Sequence, residues 1–258
     1  MSKKPSVLLT MLEPNEALAR QLGTGIARLG ADCAAHFWND KPDAQVLAQL
    51  FKEVVRPDLN AWVIAGNLQS FTPSTLSALS LTALASQHLS IAEDRPELQI
   101  IISPSQGTLQ HLPTPLANAS VVTHGLEAKT IALCHTAKKA APRPYRLNVL
   151  PLHGLGVWLE CGPAEDPWQG VICGVSKAEP DAHGVGQAGI IPQRSTMHYP
   201  IKGMKLQVRS HEFTAWGTQN TLSTADSYFI RLSALPEAVV LGPFPSEDDA
   251  ELYVLDLC

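Results

Sequence analysis

Ala140-Ala141-Pro142-Arg143-Pro144 separates two stretches of chain that are patterned differently. Proline removes a backbone donor and disfavours helix at the residue before it, so a Pro-X-Pro segment reads as an extended connection. Before it, short apolar runs alternate with stretches of helical period. After it, strand and turn signals dominate to Cys258. The expected fold class is therefore α/β over residues 1–139, a doubly wound, flavodoxin-like parallel sheet. A mainly-β, sandwich-like domain is expected over residues 145–258.

Toward the N-terminus one unit repeats. Pro5-Ser6-Val7-Leu8-Leu9-Thr10-Met11-Leu12 reads as a continuous apolar run, as a strand covered on both faces requires. It stops at Glu13-Pro14-Asn15, and Ala17, Leu18, Leu22, Ile26 and Leu29 then recur at helical spacing until Gly30. Cys33 to Trp38 predicts a second strand ending at Asn39-Asp40. The helix after it carries Val46, Leu47, Leu50, Val54 and Val55. Asn60 to Gly66 is the third strand, and Ser70-Phe71-Thr72-Pro73-Ser74 opens a helix to about Leu89. Leu98 to Ile102 is the fourth, ending at Ser103-Pro104-Ser105. A weaker fifth, Ala119 to Thr123, precedes a helix from Leu126 to about Lys139. Four or five such units make an open sheet, whereas a barrel needs eight.

Open parallel sheets bind ligands outside the carboxyl ends of their strands. The candidate ligand-binding residues are accordingly Glu13, Asn15, Asn39, Asp40, Asn67, Ser103 and Ser105. Each of these residue types also caps helices or builds turns, and that structural role is the competing reading. No GxGxxG follows the first strand, and neither a GxxxxGK[ST] loop nor a GxSxG elbow occurs. No cofactor is therefore identified, and no catalytic residue is assigned.

Trp38-Asn39-Asp40, then Ala61-Trp62-Val63-Ile64-Ala65-Gly66 and Ser70-Phe71-Thr72-Pro73-Ser74 before a long helix, resemble Toll/interleukin-receptor (TIR-like) domains over roughly the first 135 residues. Enzymatic members of that family need a glutamate on the helix after the third strand to cleave NAD. Ser74 to Leu89 contains no Asp or Glu. The resemblance thus implies a scaffold role in protein association rather than NAD hydrolysis.

Toward the C-terminus, Gly154 to Cys161 and Gln169 to Val175 flank a turn-rich connection and predict a β-hairpin or two neighbouring strands. Met204 to Val208, His211 to Gln219, Ser227 to Leu232 and Ala238 to Leu241 are also strand-like. In Lys205-Leu206-Gln207-Val208-Arg209, alternation puts Leu206 and Val208 on one face, as a half-exposed antiparallel strand requires. His183-Gly184-Val185-Gly186-Gln187-Ala188-Gly189 reads as a loop. Ser246-Glu247-Asp248-Asp249-Ala250 opens a short helix before a final strand, Leu252 to Leu257. The aromatics Trp158, Trp168, Trp216, Tyr199, Tyr228 and Tyr253 either fill the core or form a binding platform.

A net charge of -5 with scattered Lys and Arg excludes a non-specific nucleic-acid binder. Five well-separated cysteines without a CxxC pair, and His153, His183, His198 and His211 at irregular spacing, give no metal motif. No run approaches the roughly 18 apolar residues of a membrane span, so no membrane association and a cytoplasmic location are expected. Together these observations predict a non-catalytic or regulatory protein. Its α/β domain would take a small ligand or nucleotide, and its β domain would mediate association with a protein partner or a second copy. The alternative is an enzyme acting on a nucleotide or sugar-like substrate between the domains, with Glu13 or Asp40 as acid-base group.

Overall fold

The computed structural model describes residues 4–38, 44–107, 109–152, 154–245 and 251–258. The chain divides into two compact units, Met1–Ala141 and Pro142–Cys258. Among the described residues no helix is long and apolar enough to cross a membrane.

The first unit is α/β. Its strands are β1 (Ser6–Met11), β2 (Asp32–Phe37), β3 (Leu59–Gly66), β4 (Gln99–Pro104) and the two-residue β5 (Ser120–Val121), all parallel, in the order β2-β1-β3-β4-β5. That is the flavodoxin-like order. The helices are α1 (Glu16–Arg28), α2 (Ala44–Val54), α3 (Pro73–Ala92) and α4 (Leu126–Cys134). α1 packs beside α4, and α2 beside α3. Strand alternation then sorts β1: Val7, Leu9 and Met11 join Ala19, Leu22, Ile26 and Leu126 in one cluster, while Leu8 and Thr10 turn to the other face.

Local chemistry fixes the helix starts. Asn15 caps α1, its Oδ1 accepting the Leu18 N–H at 3.0 Å. Thr72 caps α3, with Pro73 where a missing N–H costs nothing. α3 is buried around its whole circumference, which explains its lack of charge: its hydroxyls turn inward, Thr82 to the Ala78 carbonyl at 2.9 Å and Ser90 to the Ser86 carbonyl at 3.0 Å. α4 ends at Cys134 rather than near Lys139, because residues 138–139 pair with the segment after α3: the Glu97 N–H donates to the Lys138 carbonyl at 2.8 Å.

The second unit is two antiparallel sheets. One has the order β10-β11-β8-β13-β14 and the other β6-β7-β12-β9. The strands are β6 (Tyr145–Leu152), β7 (Gly156–Pro163), β8 (Trp168–Ser176), β9 (Pro180–Gln187), β10 (Ile201–Val208), β11 (His211–Leu222), β12 (Asp226–Leu232), β13 (Ala238–Gly242) and β14 (Tyr253–Asp256). Leu206 and Val208 of edge strand β10 are half-buried and its lysines exposed, as the alternation requires.

Three expectations are corrected here. β7 and β8 are not a hairpin; they belong to opposite sheets. The four residues 164–167 reach across because extended chain spans about 3.3 Å per residue and packed sheets lie about 10 Å apart. The glycine-rich segment is strand β9, not a loop. Its glycines are needed for packing: a side chain at Gly184 or Gly186 would stand 3.0 to 3.2 Å from Pro192 and Ser195. β6 is a strand that the sequence pattern did not show. The proposed helix opening at 246–250, and His153, lie outside the described residues.

Candidate functional site

The chain leaves β1 toward β2 and leaves β3 toward β4, in opposite directions, so the carboxyl ends of β1 and β3 bound the crevice where open sheets take ligands. Gly66 closes β3 there. A Cβ on it would stand 2.7 Å from that of Leu12, so the close approach of the two strand ends needs glycine. The Leu12 N–H donates to the Ala65 carbonyl at 2.8 Å and the Ser105 N–H to the Gly66 carbonyl at 2.9 Å, which carries the register beyond the strands.

Three of the predicted residues converge on this frame. Glu13 accepts the Asn67 backbone N–H on Oε1 at 2.8 Å and the Asn67 amide Nδ2 on Oε2 at 2.5 Å. The Ser70 hydroxyl also donates to Oε1. Ser105 Oγ in turn donates to Asn67 Oδ1 at 2.5 Å. Ser70 was not anticipated; its place in the Ser- and Thr-rich opening after the third strand was the available signal.

The remaining candidates do not join the cluster. Asn15 is spent on the α1 cap. Ser103 lies within β4, in register with Ala65. Asn39 and Asp40 fall outside the described residues. What the cluster can do follows from its composition. With three donors already on one carboxylate, Glu13 has little capacity left to meet a substrate proton, which a general acid or base must do. The four side chains include no cation, so they suit hydroxyl, amide or amine groups better than phosphate.

Elsewhere burial holds titratable groups in their neutral forms. It raises the thiols of Cys33 and Cys258, and lifts Cys134 to about 11. A hydrogen bond with Cys173, with burial added, raises Cys161. Thiols so shifted are poor nucleophiles, since the thiolate is the reactive form. Burial and the nearby Lys202 charge push His183 down to about 4, and its Nδ1 meets the Tyr228 hydroxyl at 2.7 Å. Tyr228 is itself raised by burial. Among the described residues no three His, Cys, Asp or Glu side chains group so as to hold a metal ion.

Cavities also lie away from the cluster. One of about 770 Å³ in the β unit is walled by Lys177, Glu179, Lys205 and Glu212, and Lys205 there contacts Thr214 at 2.8 Å and Glu212 at 3.9 Å. Another, about 460 Å³, lies between β2 and α2 and is largely apolar. The aromatics do not gather into one platform: Trp168 and Tyr228 are buried, while Tyr199 is 76% exposed.

The class these features define is a parallel, flavodoxin-ordered α/β unit with a polar strand-end cluster, followed by an antiparallel two-sheet β unit. No family model matches the chain, and no curated protein and no solved structure matches it either.

Proposed function

We propose that this is a non-catalytic binding protein whose α/β unit takes a small uncharged or cationic ligand at the carboxyl ends of β1, β3 and β4, while the β unit mediates association. The observation that carries the reading is the bonded set Glu13, Asn67, Ser70 and Ser105 at the switch point of the sheet. Such a set is pre-organised, and a ligand donor needs only the lone pair left on Glu13 Oε2 or the Ser105 oxygen. The heavily hydrogen-bonded Glu13 carboxylate and the neutral thiols support binding over catalysis. The absence of acids on α3, read with the TIR-like resemblance, supports a scaffold rather than an NAD-cleaving role.

Association through the β unit rests on less buried apolar groups there: Leu155 and Ile190 are each 57% exposed. The test is a thermal-shift panel of nucleosides, nucleotides and polyamines at millimolar concentration, with Asn67→Ala beside the native chain. Nucleosides or amines are expected to raise the melting temperature of the native chain only. No shift with any member, or an equal shift in Asn67→Ala, removes the strand-end reading.

A further inference from the structure

β7 and β8 follow one another along the chain and lie in opposite sheets of the β unit. In register, Cys161 of β7 stands opposite Tyr228 of β12, and Cys173 of β8 stands opposite Trp216 of β11. Side chains of residues directly opposite one another share a face of their sheet. His183 of β9 establishes that these two faces look toward each other: its ring stands edge-on to Trp216 at 4.7 Å and to Tyr228 at 5.9 Å, so it touches both sheets.

The two cysteines of this space are free thiols without exposed surface, and Cys161 is hydrogen-bonded to Cys173. That contact runs from sheet to sheet, and a covalent bridge needs the two sulfurs at about 2.05 Å. The only other cysteine of the β unit is Cys258, exposed at the end of the chain, whose Sγ donates to the Glu237 carbonyl at 3.9 Å. A bond from Cys161 to Cys173 closes the stretch 161–173, which contains the crossing between the sheets. In the folded unit the Cys173 contact and burial hold the Cys161 thiol protonated. The thiolate is the attacking form, so such a bond is made before the sheets close.

We propose that Cys161 and Cys173 are a bridging pair, which in an oxidising environment forms an inter-sheet disulfide as the β unit folds, by exchange with a small-molecule disulfide of the glutathione type. In the open chain the Cys161 thiolate attacks one sulfur of oxidised glutathione and breaks its S–S bond. One glutathione leaves as a thiolate and takes a proton from water, and the other stays on Cys161 as a mixed disulfide. As the sheets approach, Cys173 gives its proton to water and its sulfur attacks Cys161 Sγ, which forms the protein disulfide and expels the second glutathione. The protein gives up two electrons and two protons, and the glutathione disulfide is reduced to two thiols. Under reducing conditions the pair stays as the hydrogen-bonded thiols seen here.

The test is to unfold and reduce the full chain, refold it in mixtures of oxidised and reduced glutathione, block the remaining thiols and map the digested chain by mass. A peptide linked through Cys161 and Cys173 is expected in the oxidising mixtures, with Cys33, Cys134 and Cys258 blocked as free thiols. At a fixed denaturant concentration the bridged chain should have an unfolding equilibrium constant roughly a hundredfold below that of the reduced chain, as closing a loop of this length implies. In Cys173→Ala the linked peptide and the redox dependence of unfolding should both vanish. The proposal is overturned by a refolded chain that keeps both thiols in every mixture, by a bridge from either cysteine to another one, or by a bridged chain that unfolds as readily as the reduced one. Should Cys173→Ala fail to fold, the peptide map and the unfolding of the native chain decide alone. Should the native chain fail to refold, the same exchange in urea below the unfolding transition, where the sandwich opens transiently, is read by the same criteria.

Discussion

The two units place their polar side chains in opposite ways. In the α/β unit the bonded set Glu13, Asn67, Ser70 and Ser105 sits at one end of the sheet, outside the core. In the β unit the comparable network lies inside it. Glu160, only 3% exposed, accepts from Ser227 Oγ at 2.8 Å, the Gly189 N–H at 2.6 Å and Asn148 Nδ2 at 3.2 Å. Parallel strands all end on the same side, so the polar residues that stop them are neighbours by construction. Antiparallel strands end alternately at both ends, and polar groups meet only where packing brings them together. The first arrangement leaves a set of exposed groups at the end of the sheet. The second ties strands β6, β7 and β12 to the turn after β9, and its role is to hold the sandwich in one packing.

The largest effect would come from separating the two halves. Expressed alone, residues 1–141 and residues 142–258 are each expected to unfold cooperatively, as two independent cores require. A fragment without a cooperative transition would mean that the units share one core, and the comparison would break.

Next in size are truncations within each core. Trp62 and Phe229 are fully buried. Trp62→Ala and Phe229→Ala should each lose about 3 to 5 kcal/mol in denaturant titrations. Trp62→Ala also leaves Thr10 without its donor. A loss below about 1 kcal/mol at either position would show a core looser than close packing allows.

Acid sharpens the contrast through one histidine in each unit. Burial lowers His36 and pushes His183 to about 4 from an ordinary value of 6.5. For His183, between those limits, the unfolded chain takes up a proton that the folded state refuses. Stability should therefore fall as pH is lowered from about 6.5 and level off below about 4. Melting temperatures of His183→Gln and His36→Gln across this range should slope less than those of the native chain. An unchanged slope in the double variant would show that neither histidine carries the effect.

The smallest effect concerns the edge of the sandwich. Ser195 Oγ accepts the Val185 N–H at 2.7 Å and donates to the Val185 carbonyl at 3.0 Å, so the segment after β9 occupies backbone groups that another strand could pair with. Ser195→Ala should cost about 1 kcal/mol and increase proteolytic cleavage between residues 188 and 200. Unaltered cleavage would mean that Pro192 packing alone holds the segment.

Residue order by itself determined the α/β architecture of the first half, because apolar runs and helical stripes are written in local spacing. It likewise placed Glu13, Asn67 and Ser105 at strand ends, since strand ends are local too. The sandwich was less legible. Gly184 and Gly186 look like loop residues until Pro192 and Ser195 are seen to pack on them. β7 and β8 look paired until each is seen bonded to distant strands. Asn15 looked like a ligand group and is a cap, a choice between two local roles that only geometry makes. Tertiary structure alone decided that Ser70 completes the cluster, that Glu160 is held inside the sandwich, and that the buried Trp38 indole N–H is left unmatched. The physical reason is the same in each case. Periodicity reports which face of an element a residue occupies, whereas hydrogen-bond partners and cavities depend on what the rest of the chain brings to that face.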